Sequence, residues 1–139
     1  METPECPELP GQSRSMCEFD WWFTQAEEYL AYARLIIHDS NPCMPLFHVR
    51  LAAEFTFKAV TITCMKQVRK THNNHTLFLQ AAQVIPEIKR VFPCDTPAET
   101  RIFSMLSPHF TDGTQKPDEL EILANRIGHL QSVVRAHFA

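Results

Sequence analysis

Apolar residues recurring at steps of three and four, cut by prolines and short polar runs, limit most tightly what this chain can fold into. Phe19, Trp22, Phe23, Ala26, Leu30, Ala33 and Ile37 form one face of an amphipathic helix. Leu51, Phe55, Ile62 and Met65 mark a second helix, and Phe78, Ala81, Ala82 and Ile85 a third. Ile102, Phe103 and Leu106 mark a fourth, and Leu120, Leu123, Ile127, Leu130 and Val134 a fifth. The pattern predicts helices over 18–39, 45–69, 75–84, 97–107 and 117–137, with one further turn within 87–92. The chain has 3 glycines, too few for the turns of a β sandwich or barrel. Short loops between long amphipathic helices favour antiparallel neighbours. The expected fold is therefore all-α, an up-and-down bundle of about five helices.

The helix ends carry their own signals. Ser40-Asn41-Pro42 stops the first helix, and Pro45 suits the first turn of the second. Asn74 is the expected N-cap of the third. Thr96-Pro97-Ala98-Glu99 reads as a capping box with proline in the first turn. Pro117, Asp118 and Glu119 open the last helix, where two acids complement the helix dipole.

With 139 residues the chain fits one domain with a core of its own. Residues 1–15 are acidic and proline-rich and are expected to be a disordered tail, leaving 16–139 as the folded unit. The same stretch is unlike a signal peptide, and no apolar run approaches the ~18 residues of a membrane span. Five scattered cysteines without a Cys-x-x-Cys pair do not read as a disulfide framework, so a reducing, cytoplasmic setting is expected. Net charge is −3 and the pI is near 6.1, which does not advertise a nucleic-acid binder.

Four groups of residues invite a chemical reading. Arg50, Glu54 and Lys58 are spaced four apart and share a helix stripe. The stripe reads either as a salt-bridge ladder on a half-exposed face or as a groove presenting two cations to a phosphate. His72 and His75 share one helical face, but two histidines need further metal ligands and none stands beside them, so no metal site is expected. No cofactor is implied. Trp21 and Trp22 point about 100° apart on a helix, so one belongs to the core and the other to an exposed patch. The fourth group is the two arginine–histidine pairs, Arg69 with His75 and Arg101 with His109.

The order of three stretches resembles the HEPN family of helical domains. FDWWFTQAEEYLAYARLII resembles its opening helix. AAEFTFKAV resembles its second-helix signature, here Ala52, Glu54 and Lys58, with His48 one turn earlier. THNNHTLFL resembles the entry to the third helix. FP-x-x-TPAETRIF and the closing helix are similar to a subgroup found with minimal nucleotidyltransferases. The resemblance implies a helical bundle that forms a homodimer, holds a nucleotide or RNA, and works beside a nucleotidyltransferase. It also implies ligand-binding positions at Arg50, Glu54, Lys58, His75 and Arg101.

Ribonucleases of the family carry Arg and His separated by four to six residues near the last main helix. Here Arg101 and His109 are separated by seven. Arg69 and His75 have five residues between them but lie between the second and third helices. A histidine near neutral pKa moves the 2′-hydroxyl proton in such chemistry, and an arginine stabilises the pentavalent phosphate. No pair has both spacing and place, so the expectation is binding without catalysis. A metal-independent ribonuclease using Arg69 with His75, or Arg101 with His109, is the alternative. A dimeric scaffold is the third reading.

Overall fold

The computed structural model describes residues 14–38, 41–65, 71–110 and 113–139. It contains α1 (Arg14–Ile36), α2 (Cys43–Met65), α3 (Asn74–Val84), α4 (Ile88–Val91), α5 (Pro97–Ser104) and α6 (Pro117–His137). Among the described residues there is no strand, and the fold is all-α. Five helices match the expected set, and α4 is the extra turn. No helix among the described residues is long and apolar enough to cross a membrane. The tail expected over 1–15 lies mostly outside the described residues.

The inner face of α1 is the one its periodicity marks: Phe19, Trp22, Phe23, Ala26, Leu30 and Ala33 are buried on it, and so is Ile37 just past its end. α2 is different: every residue from Ala52 to Ile62 is buried. It is the central helix, packed against α1, α3 and α6. A helix enclosed on all sides must satisfy its polar groups internally. Thr56 Oγ1 donates to Ala52 O at 2.7 Å, and Thr61 Oγ1 to Lys58 O at 3.1 Å. Gln131 of α6 then reaches Thr56 Oγ1 at 3.4 Å. Phe23 and Phe57 fill the centre at 1% and 0% exposure. Burying such a ring contributes about 1.5–3 kcal/mol.

Several helix ends differ from expectation. α2 starts at Cys43, two residues before Pro45, because the Asn41 side chain accepts from Cys43 N at 3.0 Å. Pro45 then falls inside the first turn, where a missing N–H costs nothing. The N-cap of α3 is Asn73 rather than Asn74. Its extended backbone lets Oδ1 accept from His75 N and Thr76 N. Asn74 is instead buried and donates to Arg50 O at 3.2 Å. α5 ends at Ser104, short of Ser107. Its start is as expected: Thr96 and Glu99 form the capping box and Pro97 occupies the first turn. At α6 the Glu119 carboxylate accepts from Lys116 N at 3.0 Å.

Gln115 locks the segment before α6 onto the rest of the fold. Its Nε2 donates to Pro42 O at 2.8 Å and its Oε1 accepts from Gly113 N at 2.7 Å. Gly113 has φ +94°, a left-handed conformation that suits glycine. Cys17 is disulfide-bonded, while Cys43, Cys64 and Cys94 are free. Burial pushes the Cys64 thiol pKa up.

Candidate functional site

The polar stripe of α2 separates into two parts. Glu54 and Lys58 are 6% and 4% exposed, so the half-exposed ladder is in fact buried. Lys58 Nζ donates to Glu54 Oε2 at 2.8 Å and lies 5.8 Å from the centre of the Trp22 ring. His72, just before α3, brings Nδ1 to 2.9 Å from the same Oε2. Arg50 points elsewhere. Its Nε donates to Met105 O at 2.8 Å and its Nη2 to Ser107 O at 3.3 Å. Among the described residues it is not hydrogen-bonded to Glu54.

His75 joins Arg50 at the end of α5. Its Nε2 lies 3.2 Å from Phe103 O, and because a carbonyl only accepts, that nitrogen carries the proton. The ring stacks on Phe103 with centroids 4.5 Å apart. The last carbonyls of a helix lack intrahelical donors and attract positive charge. Arg50 supplies donors and charge here and His75 one donor, tying α2 and α3 to the α5 terminus. Arg69, the other member of the Arg69–His75 pair, lies outside the described residues.

Arg101 and His109 line one cleft. It is an open cleft of about 500 Å³ between α5 and the segment leading to α6, lined among the described residues also by Ser104, Ser107, Phe110 and Thr114. Arg101 does not stand alone in it. Its Nε and Nη2 donate to Glu119 Oε2 and Oε1 at 2.5 and 3.2 Å, and Nη2 also reaches Thr114 O at 3.1 Å. The guanidinium lies 5.3 Å from the Phe110 ring centre. Arg101 Nη1 has no hydrogen bond among the described residues. The hydrogen bond from Arg101 is the first cause holding the Glu119 carboxyl below its usual range, and Glu119 in turn raises the Arg101 pKa. The cleft thus contains a cation already matched by an anion, beside an exposed imidazole.

The sequence marks Arg101 and His109 but not the cleft. Glu119 is visible there only as a helix-opening acid, because its partner is 18 residues away. Ser104, Ser107, Phe110 and Thr114 carry no spacing signal; they meet through the turn after α5. Among the described residues, no group of three or more His, Cys, Asp or Glu side chains is arranged to hold a metal.

A second surface lies at the corner where α1 ends and α2 begins. Tyr32, Leu35, Met44 and Phe47 are exposed there, Leu35 at 81%. The core runs out to this corner through aromatic rings. Trp22 and Phe55 are buried, Phe55 meets Tyr29 at 5.2 Å, and Tyr29 meets His48 at 6.2 Å. His48 in turn touches Tyr32 and Phe47 at 4.6 and 5.4 Å. Trp22 is the core tryptophan, and Trp21 is half-buried against it in an edge contact.

No curated protein matches the chain. A family model for the HEPN domain does match, over residues 19–122, which spans α1 through α5 and the first turns of α6. That region contains the buried Glu54–Lys58 pair, the capped end of α5 and the Arg101 cleft, and on this match the chain belongs to the HEPN domain family.

Proposed function

We propose that this HEPN-family chain is a non-catalytic module that binds nucleotide or RNA phosphate weakly in the Arg101–His109 cleft and assembles with a second copy. The observation that carries the reading is the double engagement of Arg101 by Glu119. A guanidinium held this way retains little capacity to stabilise the extra charge of a pentavalent phosphate. It still contributes one donor and a partial attraction for anions beside His109. Arg50, His75 and Lys58 are engaged within the fold and add little to a phosphate site. A nucleotidyltransferase is the partner class that the family resemblance suggests. Three free thiols suit the cytoplasm, and the Cys17 disulfide is the feature that pulls the other way.

Incubating the pure chain with labelled single-stranded RNA tests this. The expected result is binding at low salt that weakens toward physiological salt, with the RNA intact. The rival reading is a metal-independent ribonuclease, and it draws on Arg101 and His109 lining the same cleft. Cleavage that disappears in a folded His109→Ala variant would establish the rival. No binding of RNA or nucleotide at low salt would leave only the scaffold reading.

Pairing is assigned to the α1–α2 corner, because the exposed apolar side chains Tyr32, Leu35, Met44 and Phe47 there suit an interface. Two copies joined there would bring four long helices together, the geometry of a helical bundle. Light scattering at high micromolar concentration should give twice the 16.0 kDa chain mass, and Tyr32 should lose solvent exposure. A Leu35→Glu variant should be monomeric. A wild-type monomer under those conditions removes the pairing.

A further inference from the structure

We infer that Glu119 is an autoinhibitory carboxylate that occupies Arg101 and thereby holds down the anion affinity of the cleft. The inference rests on the reading of that cleft as an anion site, and names what limits it. Carboxylate and phosphate compete for the same face of a guanidinium, since both match its parallel N–H donors. In this chain Glu119 takes that face from within, through Nε and Nη2 together. An internal competitor acts at an effective concentration in the millimolar range or above, so a dissolved anion at lower concentration does not displace it.

The position of Glu119 sets it within reach of Arg101. It is the third residue of α6, and Oε1 also accepts from Lys116 N at 3.0 Å. One carboxylate therefore caps α6 and holds Arg101. On the other side, Thr114 O accepts from Arg101 Nη2 at 3.1 Å, and Gln115 anchors the same segment to Pro42. The guanidinium is gripped between α6 and an anchored loop. The remaining cleft groups, Ser104, Ser107 and His109, surround space that no internal anion fills among the described residues. A purely structural staple would need no such cavity beside it.

Glu119→Gln separates the two roles. Glutamine at this helix position still accepts from the N-cap amide, so α6 keeps its start. It removes the charge that neutralises Arg101. Isothermal titration of the full chain with inorganic pyrophosphate at low salt is the measurement. Glu119→Gln should bind about tenfold or more tighter than wild type, the size of one charge-assisted contact. Adding Arg101→Gln in that background should abolish the gain. Glu121→Gln removes an equal charge two residues away, from a carboxylate 2.9 Å from His38, and should leave pyrophosphate affinity unchanged.

If Glu119→Gln does not fold, Glu119→Asp retains the charge but shortens the reach, and should give a smaller gain through the same arginine. Equal affinities of wild type and Glu119→Gln, with both binding, overturn the inhibition and leave the anion cleft standing. A gain that survives Arg101→Gln, or that Glu121→Gln reproduces, also overturns it. Absence of pyrophosphate binding in every variant removes the cleft reading and this inference together. Binding in Glu119→Gln alone, with no RNA binding by wild type, supports the inhibition while removing the function proposed for the resting protein.

Discussion

Two ion pairs in this molecule use the same chemistry for different ends. Glu54–Lys58 lies inside the central helix, with side-chain exposures of 9% and 5%. Arg101–Glu119 bridges α5 and α6 at the rim of a cleft, with exposures of 41% and 17%. In the first pair neither charge has adequate water, so each depends on the other, and Lys58 also rests near the Trp22 ring. In the second, solvent substitutes for either partner at modest cost. Burial decides whether an ion pair is a structural necessity or an exchangeable contact. That difference is why the Glu54–Lys58 pair belongs to the core and the Arg101–Glu119 pair to the surface.

The largest test of this contrast breaks the buried pair on one side. Lys58→Ala leaves Glu54 buried with only the exposed His72 beside it, and should cost about 3–5 kcal/mol in urea unfolding. Replacing both members, Glu54→Leu with Lys58→Met, removes the charges and preserves volume. The double variant should recover most of that loss. If the single variant costs under about 1 kcal/mol, water reaches α2 and the contrast fails.

That burial was not legible in the sequence, for a physical reason. Glu and Lys four apart look the same on an exposed helix as on an enclosed one. Enclosure of α2 comes from α1, α3 and α6 packing around it, and no local spacing encodes three neighbours. The helices themselves were legible because their apolar period follows directly from burying one face. The Thr96–Glu99 capping box was legible because all its atoms lie within four residues. The choice of Asn73 over Asn74 was not, since both can cap and the buried one is selected by its contact with Arg50 O, 24 residues away. At the candidate site, Arg101 and His109 stood out as residue types. Their company did not: Arg50 reaches Met105 across 55 residues, and Arg101 meets Glu119 across 18.

The exchangeable pair should reveal itself through pH. Arg101 first, and the Lys116 backbone amide after it, lower the folded-state pKa of Glu119. Its contribution is therefore complete above the unfolded carboxylate value of about 4.3 and is lost as pH falls through the lowered folded value. Urea midpoints measured from pH 6 down to pH 2 should fall for both wild type and Glu119→Gln. The fall should be shallower in the variant, which has no carboxylate to protonate there. At pH 6 the variant should sit much closer to wild type than Lys58→Ala does. Parallel acid limbs would show that Arg101–Glu119 contributes nothing to the folded state.

The smallest expected effect concerns a third cation, also at the surface. Arg34 of α1 lies over Gly128 of α6, and a Cβ at residue 128 would come within 2.8 Å of Arg34 Nη2. The next nearest atoms, Arg34 Cζ and Leu30 Cδ2, stand at 3.8 Å, an ordinary contact. Only the far end of a long, exposed side chain is in the way. If surface cations here are exchangeable, Arg34 swings aside at little cost. The helix then gains because alanine is favoured over glycine in a helix interior by about 1 kcal/mol. Gly128→Ala should therefore stabilise the chain by about 0.5 kcal/mol, after a small allowance for moving the guanidinium. A destabilised variant would mean that Arg34 is fixed at the α1–α6 crossing. In that case exposure alone would not predict which charged side chains this fold can release, and the contrast between its two ion pairs would have to rest on their partners instead.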